Sequence, residues 1–412
     1  MEEMVLANRD HEAFIDRCFF WFCVVDLFFM PYFWFLSIPY SMPVVLYWFI
    51  KRYAAVTQQR EWRLFVLLVF LMGVSTMLSF FINPAHIYDN STLLVELLMM
   101  FIYYFMFAYY AERYPLRVKG VLIGFIVFVT AFAVVFNVDK ALYQDIKFIW
   151  NPRMATAWST TDFKGYRFGF FWMDENNIGY MANAVVLFIL CHEKTSLFTK
   201  ALLLGALTLI VISCMSSGAL LSTVISVGLY MVYSIWRLMT GRMVFRWKLT
   251  NVILFVLLAV ILYFFIPRIP DYLGGTVAQE SLSRIAGNSA SSRFSIWKSI
   301  LQQANFFQYL LIGQGGDTFL NDAKVSPHNG HLFWILAYGM ISYVIFMVIF
   351  FRKRKKTPPA GYLFMIPILI GFTINILLGE VKLAAILALL VALSSGSRPL
   401  TTPQSRQEVH NA

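Results

Sequence analysis

The sequence predicts an all-α polytopic membrane protein with about twelve transmembrane helices and two long extracytoplasmic loops, and three observations predict it. Of its 412 residues 59% are hydrophobic and only 13% charged, against about 25% in soluble domains, and mean hydropathy is +0.68. Apolar runs of near-spanning length recur along the chain. Lys and Arg gather in alternate turns between those runs.

A spanning helix needs about 20 mostly apolar residues. In order, the runs lie near 18–37, 40–50, 64–83, 92–111, 120–137, 177–191, 201–215, 218–235, 250–267, 331–351, 361–378 and 383–395, the second and seventh being short. The flank holding Glu2, Glu3, Asp10, Glu12 and Asp16 is not that of a cleavable signal peptide, so the first helix is expected to remain as an anchor.

With the N-terminus inside, the even-numbered turns carry Lys51, Arg52, Arg60 and Arg63, then Arg113, Arg117 and Lys119, then Lys194 and Lys200, then Arg237, Arg242, Arg246 and Lys248, and last RKRKK at 352–356. The short odd turns near 38 and at 84–91 carry neither Lys nor Arg. The positive-inside rule therefore assigns the basic turns and both termini to the cytoplasm. The net charge of +11 reads as topology rather than as a nucleic-acid surface.

The organisation that follows is 1–137 for helices 1–5, 138–176 for the first long loop, 177–267 for helices 6–9, 268–330 for the second long loop, 331–395 for helices 10–12, and 396–412 for a polar cytoplasmic tail. Both long loops carry cations where the rule leaves few: Lys140, Lys147, Arg153, Lys164 and Arg167 in one, Arg268, Arg284, Arg293, Lys298 and Lys324 in the other. Long loops translocate largely regardless of charge, so these residues are either solvated surface or the lining of an anion site.

Cys18, Cys23, Cys191 and Cys214 all lie in or at the ends of apolar runs, which suits packing and gives neither a disulfide framework nor a metal-binding C-x-x-C. No phosphate loop, H-E-x-x-H or G-x-S-x-G occurs, which argues against an ATP-driven pump, a zinc protease and a nucleophile-elbow hydrolase. No metal or other cofactor is expected.

Three segments where loops meet the bilayer hold the candidate chemistry. In RFGFFWMDENNIG, 167–179, Asp174 and one Asn suit a helix N-cap, whereas Arg167 suits a ligand or a carboxylate partner. In SSRFSIWKSILQQANFFQYLLIGQGGD, 291–317, Phe294, Trp297, Ile300 and Leu301 share one side of an amphipathic helix expected along the membrane surface, and the glycines end it. Arg293 sits in its first turn, a poor place for a cation unless it grips an anion. In SPHNGHLFWILAYG, 326–339, His328, Asn329 and His331 stand at the mouth of an apolar helix, and an imidazole there can serve as a base or as structure.

On these features the chain resembles the O-antigen ligase and polymerase family of bacterial membrane glycosyltransferases. They are R-x-G-F-F followed by an acid and Asn-Asn, an Arg before an aromatic helix, G-x-G at its end, and H-N-x-x-L opening a late helix. The resemblance implies a GT-C-like fold in the bacterial inner membrane, with both long loops in the periplasm. It implies a role in lipopolysaccharide biosynthesis, by metal-independent transfer of glycan from undecaprenyl pyrophosphate. His328 would be the base and Arg293 the pyrophosphate ligand, with Arg167, Arg153, Arg284, Asn329 and Asn177 completing the substrate contacts.

Family members often carry Ser-Arg-Gly-Ala entering the eighth helix. Here the run is MSSGALL, with Ser217 in the arginine's place, so Arg167 or Arg153 would have to supply that charge.

The expected function is an O-antigen polymerase, inverting, acting on a lipid-linked repeat unit and using a chain-length regulator as partner. The alternatives are an O-antigen ligase, which would pass the polymer to lipid A core, and a lipid-linked oligosaccharide transporter. A transporter places charges along its helices; the bilayer-depth candidates are Asp26 and Glu96, while Glu380 and Lys382 are expected to form a local ion pair before the last helix.

Overall fold

The computed structural model describes residues 2–32, 38–82, 87–114, 117–150, 167–170, 173–240, 295–300, 302, 311–315, 319–320, 323–324, 329–351, 359–374 and 381–396. They form a helical bundle. Its helices are α1 (Glu2–Phe29), α2 (Met42–Lys51), α3 (Tyr53–Thr57), α4 (Trp62–Ile82), α5 (Ile87–Arg113), α6 (Lys119–Val138), α7 (Lys140–Trp150), α8 (Glu175–His192), α9 (Leu197–Cys214), α10 (Ser217–Met239), α11 (Gly330–Phe351), α12 (Met365–Ile374) and α13 (Val381–Gly396).

Six helices among the described residues are long and apolar enough to cross a membrane: α4, α5, α6, α9, α10 and α11. Helix α1 is long enough, but Glu12, Asp16, Arg17 and Asp26 interrupt its apolar character. Helices α2 and α13 are apolar and shorter, and the run expected at 250–267 lies outside the described residues. One element departs from an all-α expectation: a two-residue hairpin, β1 (Phe319–Leu320) with β2 (Ala323–Lys324), antiparallel, pairing Phe319 with Lys324.

The core is aromatic. Helix α5 buries Phe101, Tyr103, Tyr104, Phe105, Phe107 and Tyr110, and α13 packs along it. Ala384, Ala385, Ala388 and Ala392 line α13, and such small side chains let a helix approach bulky neighbours closely. Helix α8 is buried almost all round, against α6, α9, α10, α12 and α13. Gly179 admits α10 closely, since a Cβ there would lie 2.6 Å from that of Ala219. Asn183 Nδ2 then donates to Ser226 Oγ at 3.0 Å across the same pair of helices.

Contacts link residues of the first three basic turns with the first helix and with one another. Arg52 Nη2 donates to Asp16 Oδ2 at 3.1 Å, the Tyr114 hydroxyl approaches the same oxygen at 3.4 Å, and Lys119 Nζ donates to the Lys194 carbonyl. At the other end of α6, Asn137 Nδ2 donates to Ser213 Oγ at 2.7 Å.

The segment expected to lie on the membrane surface is helical at 295–300, and its glycines at 313 and 315 pack against α11 and α4. Helix α11 breaks midway at Gly339 (φ 82°, ψ 162°). Its unpaired Leu336 and Ala337 carbonyls accept from the backbone amides of Gln314 (2.7 Å) and Gly315 (2.6 Å). Ser75 Oγ also donates to the Ala337 carbonyl, and Thr76 Oγ1 donates to the Gly315 carbonyl, at 3.0 and 3.1 Å. Non-helical backbone midway along an apolar helix persists only where its polar groups find partners inside the protein. Gly313 and Gly315 also have positive φ, and a Cβ on Gly313 would strike the Ala337 carbonyl.

The local ion pair expected between Glu380 and Lys382 involves a residue outside the described residues. Lys382 lies in the first turn of α13, and its Nζ donates to Asp26 Oδ1 at 2.9 Å, 356 positions away in sequence. The carbonyls of Asp26, Met30 and Pro31 surround the ammonium at 2.8, 2.8 and 3.0 Å. Asp26 Oδ2 accepts from the Ser41 amide (2.7 Å) and hydroxyl (2.6 Å), and that hydroxyl also meets Tyr103. Both side chains are fully buried. Apolar side chains cannot replace this pair one at a time: Asp26→Leu or Lys382→Met alone is expected to cost about 3–5 kcal/mol by stranding the other charge, and the double variant to recover most of it. Thermal denaturation of the detergent-solubilised variants checks this; additive losses in the double variant would refute it.

Candidate functional site

The site forms where α9 gives way to α10. Only Met215 and Ser216 join them, and Met215 takes the left-handed conformation (φ 48°, ψ 36°), the one non-glycine with positive φ among the described residues. Such a conformation costs on the order of 1–3 kcal/mol and persists only when surrounding contacts hold it. Those contacts come from the segment before α8. The Phe168 amide donates to the Ser213 carbonyl at 3.0 Å, and Arg167 Nε donates to the Cys214 carbonyl at 3.1 Å. Together they satisfy carbonyls that the end of α9 leaves without intrahelical partners. A guanidinium there also suits the negative end of the helix dipole.

Arg167 is held at a second point. Its Nη2 donates to Asn176 Oδ1 at 2.9 Å, and the same oxygen accepts from Ser216 Oγ at 2.8 Å. Asn176 therefore ties the guanidinium to the α9–α10 joint. The remaining nitrogen, Nη1, faces Glu175 Oε2 at 3.9 Å, which is an ion pair but too long for a hydrogen bond. Arg167 keeps about a fifth of its side chain exposed, so the guanidinium can still meet a ligand.

Behind it lies a buried charge cluster. Asp174 caps α8, its Oδ1 accepting from the Asn177 amide at 2.6 Å. Glu175 is 5% exposed and Lys147, from α7, only 2%. Burial pushes the Lys147 ammonium down to about 8, against the pull of Glu175 and Asp174 in the other direction. Tyr143, also from α7, donates to the Gly169 carbonyl and so fixes α7 against the arginine segment. Among the described residues no group of three His, Cys, Asp or Glu side chains converges as a metal site would require.

Of the residues expected in the site, Arg167 is at its centre. Asn177 is buried one position beyond the residue that reaches Arg167, and Asn329 stands apart as the N-cap of α11, its Oδ1 accepting from the Leu332 amide at 3.0 Å. His328, Arg293, Arg153 and Arg284 lie outside the described residues. His331 is fixed by Tyr343 on Nδ1 (2.8 Å) and Thr373 on Nε2 (3.2 Å), a packing role. Ser217 is the first residue of α10, next to Ser216 and so within one residue of the Arg167–Asn176 tie. Asn176, Ser216, Glu175 and Lys147 were not singled out as site residues from sequence. The doubled Asn-Asn marked the place but not which of the two turns toward the arginine.

The four cysteines are free thiols, two of them buried. Neither a family model nor a curated protein matches the chain.

The lysine gives a pH signature. A lysine whose folded pKa is lowered contributes stability that is fully present above its unfolded value, near 10.5, and is lost as pH falls through about 8. The stability of Lys147→Met relative to wild type is therefore expected to improve by on the order of 3 kcal/mol as pH falls from about 10.5 to below about 8. Paired melting curves across that range check it; a pH-independent difference would count against a buried ammonium.

Proposed function

We propose that this protein is an O-antigen polymerase of about twelve spans in the bacterial inner membrane, transferring glycan from undecaprenyl pyrophosphate to a lipid-linked repeat unit in the periplasm. The observation that carries the reading is Arg167. The resembling family bears an arginine entering the eighth helix, this chain has Ser217 there, and the Arg167 guanidinium is bonded to Cys214 and to the Asn176 that holds Ser216. The charge missing from one segment is thus available from another, at the start of the same helix.

In this reading the acceptor hydroxyl attacks the anomeric carbon from the face opposite the diphosphate. Its proton passes to His328, the bond from carbon to diphosphate oxygen breaks, and undecaprenyl pyrophosphate departs. The enzyme's main task is to stabilise charge growing on that leaving group. Arg167 serves it from the α9–α10 joint, with Arg293, Arg153 and Arg284 proposed as further phosphate ligands and Asn177 and Asn329 as substrate contacts. A guanidinium suits the task because its planar fork grips phosphate oxygens in pairs.

The transporter reading is weaker. Its strongest candidate, Asp26, has its carboxylate occupied by Ser41 and Lys382, and that buried pair links helices rather than lining a path. Glu96, the other candidate, is half-buried in α5.

The test is the lipopolysaccharide banding of a deletion strain complemented with wild type, Arg167→Ala or Arg167→Lys. Arg167→Ala is expected to reduce polymer at least a hundredfold, leaving core with a single repeat. Arg167→Lys is expected to restore little, since an ammonium is a compact point charge that does not span Cys214, Asn176 and a phosphate as the planar guanidinium fork does. Normal polymer from Arg167→Ala would defeat the proposal. Bare core with lipid-linked polymer accumulating would indicate the ligase instead.

A further inference from the structure

Glu175 has no evident task in the fold. Asp174 already caps α8, and a Gln would fill the same space. Yet its carboxylate is buried, and among the described residues no donor reaches Oε1. A buried carboxylate oxygen left without a hydrogen bond is costly; burial raises the Glu175 carboxyl above its usual range, while Arg167, 3.9 Å away, and more weakly Lys147 pull it back. Among the described residues the cluster holds two cations, Arg167 and Lys147, and two carboxylates, Asp174 and Glu175.

Arg167 is oriented without help from Glu175. Its Nε and Nη2 are committed to Cys214 and Asn176, and the Glu175 carboxylate stands 3.9 Å from Nη1. At that distance it contributes charge and little direction. An anion approaching Nη1 meets a group already neutralised by Glu175, and must displace that influence to bind.

We propose that Glu175 is the exchangeable counter-ion of Arg167, a positioning residue that neutralises the guanidinium while the site is empty and gives way toward Lys147 when a diphosphate binds. The inference rests on the reading of Arg167 as a phosphate ligand. It assigns Glu175 the setting of affinity: it keeps the diphosphate lipid from binding too tightly and lets the spent carrier leave. Lys147 is too buried to touch a ligand and serves as the alternative partner of the carboxylate.

The experiment uses the full chain in lipid nanodiscs with farnesyl pyrophosphate as the probe, followed by calorimetry. Glu175→Gln is expected to bind the probe roughly tenfold more tightly than wild type, because one opposing charge near the ligand has been removed. In the transfer reaction it is expected to lower KM and kcat together. Lys147→Gln is expected to shift affinity the other way, since the carboxylate then has Arg167 alone. Should Glu175→Gln not fold, Lys147→Gln decides, and unchanged affinity there overturns the proposal, as does equal or weaker binding by a folded Glu175→Gln. If wild type and Arg167→Ala bind the probe alike, the failure lies with Arg167 as a phosphate ligand.

Discussion

The contact between Asp26 and Lys382 is the constraint on which the arrangement of the bundle depends. A carboxylate and an ammonium placed among apolar helices are each prohibitive alone, and together acceptable only when their remaining bonding capacity is filled. Here it is filled from four places: the end of α1 through the Asp26, Met30 and Pro31 carbonyls, the start of α2 through Ser41, α5 through Tyr103, and α13 through Lys382 itself. The first and last described helices are thus fixed to one another, with α13 packed along the aromatic face of α5. Hydrophobic contact could bury these helices without specifying their register, because side chains and lipid tails are equally apolar. The charge pair specifies it.

That register matters for the site because α8 sits at the centre of the same bundle. Its flanks are closed by α6, α9, α10, α12 and α13, and the small Gly179 and the Asn183–Ser226 bond hold α10 tightly against it. The first turn of α8 carries Asp174, Glu175 and Asn176, so these groups inherit the rigidity of a fully packed helix. Arg167 arrives on an irregular segment, yet three bonds fix that segment: Phe168 to Ser213, Arg167 to Cys214, and Tyr143 to Gly169. A site held on packed elements keeps its geometry when a charged ligand enters.

How much of this was readable from the sequence depends on the range of the interaction. Helix positions were, because a run of apolar residues is a local signal. The observed α4, α6, α9 and α10 fall within a few residues of the runs at 64–83, 120–137, 201–215 and 218–235. The Asp174 cap and the cationic interest of Arg167 were also readable, since each rests on neighbouring residue types. The contact of Lys382 with Asp26 was not, because nothing local indicates a carboxylate on the first helix. The break of α11 at Gly339 was equally hidden, because a glycine in an apolar helix is ordinarily tolerated; only the glycines at 313 and 315, packed against it, give it meaning. Asn177 was preferred to Asn176 because a doubled residue does not reveal which face of a helix will meet the arginine.

The distribution of satisfied and unsatisfied polar groups bears on what the molecule is built to do. Within the bundle, Asp26, Lys382, Asn183, Ser222 and Ser226 find partners in one another and in nearby backbone carbonyls. At the α9–α10 joint the pattern differs: a left-handed Met215, a guanidinium with one nitrogen facing a carboxylate beyond hydrogen-bond length, and a buried Glu175 oxygen with no donor among the described residues. Strain and incomplete pairing are what a fold removes when stability alone is at stake, and they gather where a ligand is to be met. Trp48 Nε1, Tyr110 Oη and Trp334 Nε1 are also buried without a hydrogen-bond partner among the described residues, but they are neutral, whereas the Glu175 oxygen belongs to a carboxylate beside an arginine whose planar fork suits a phosphate.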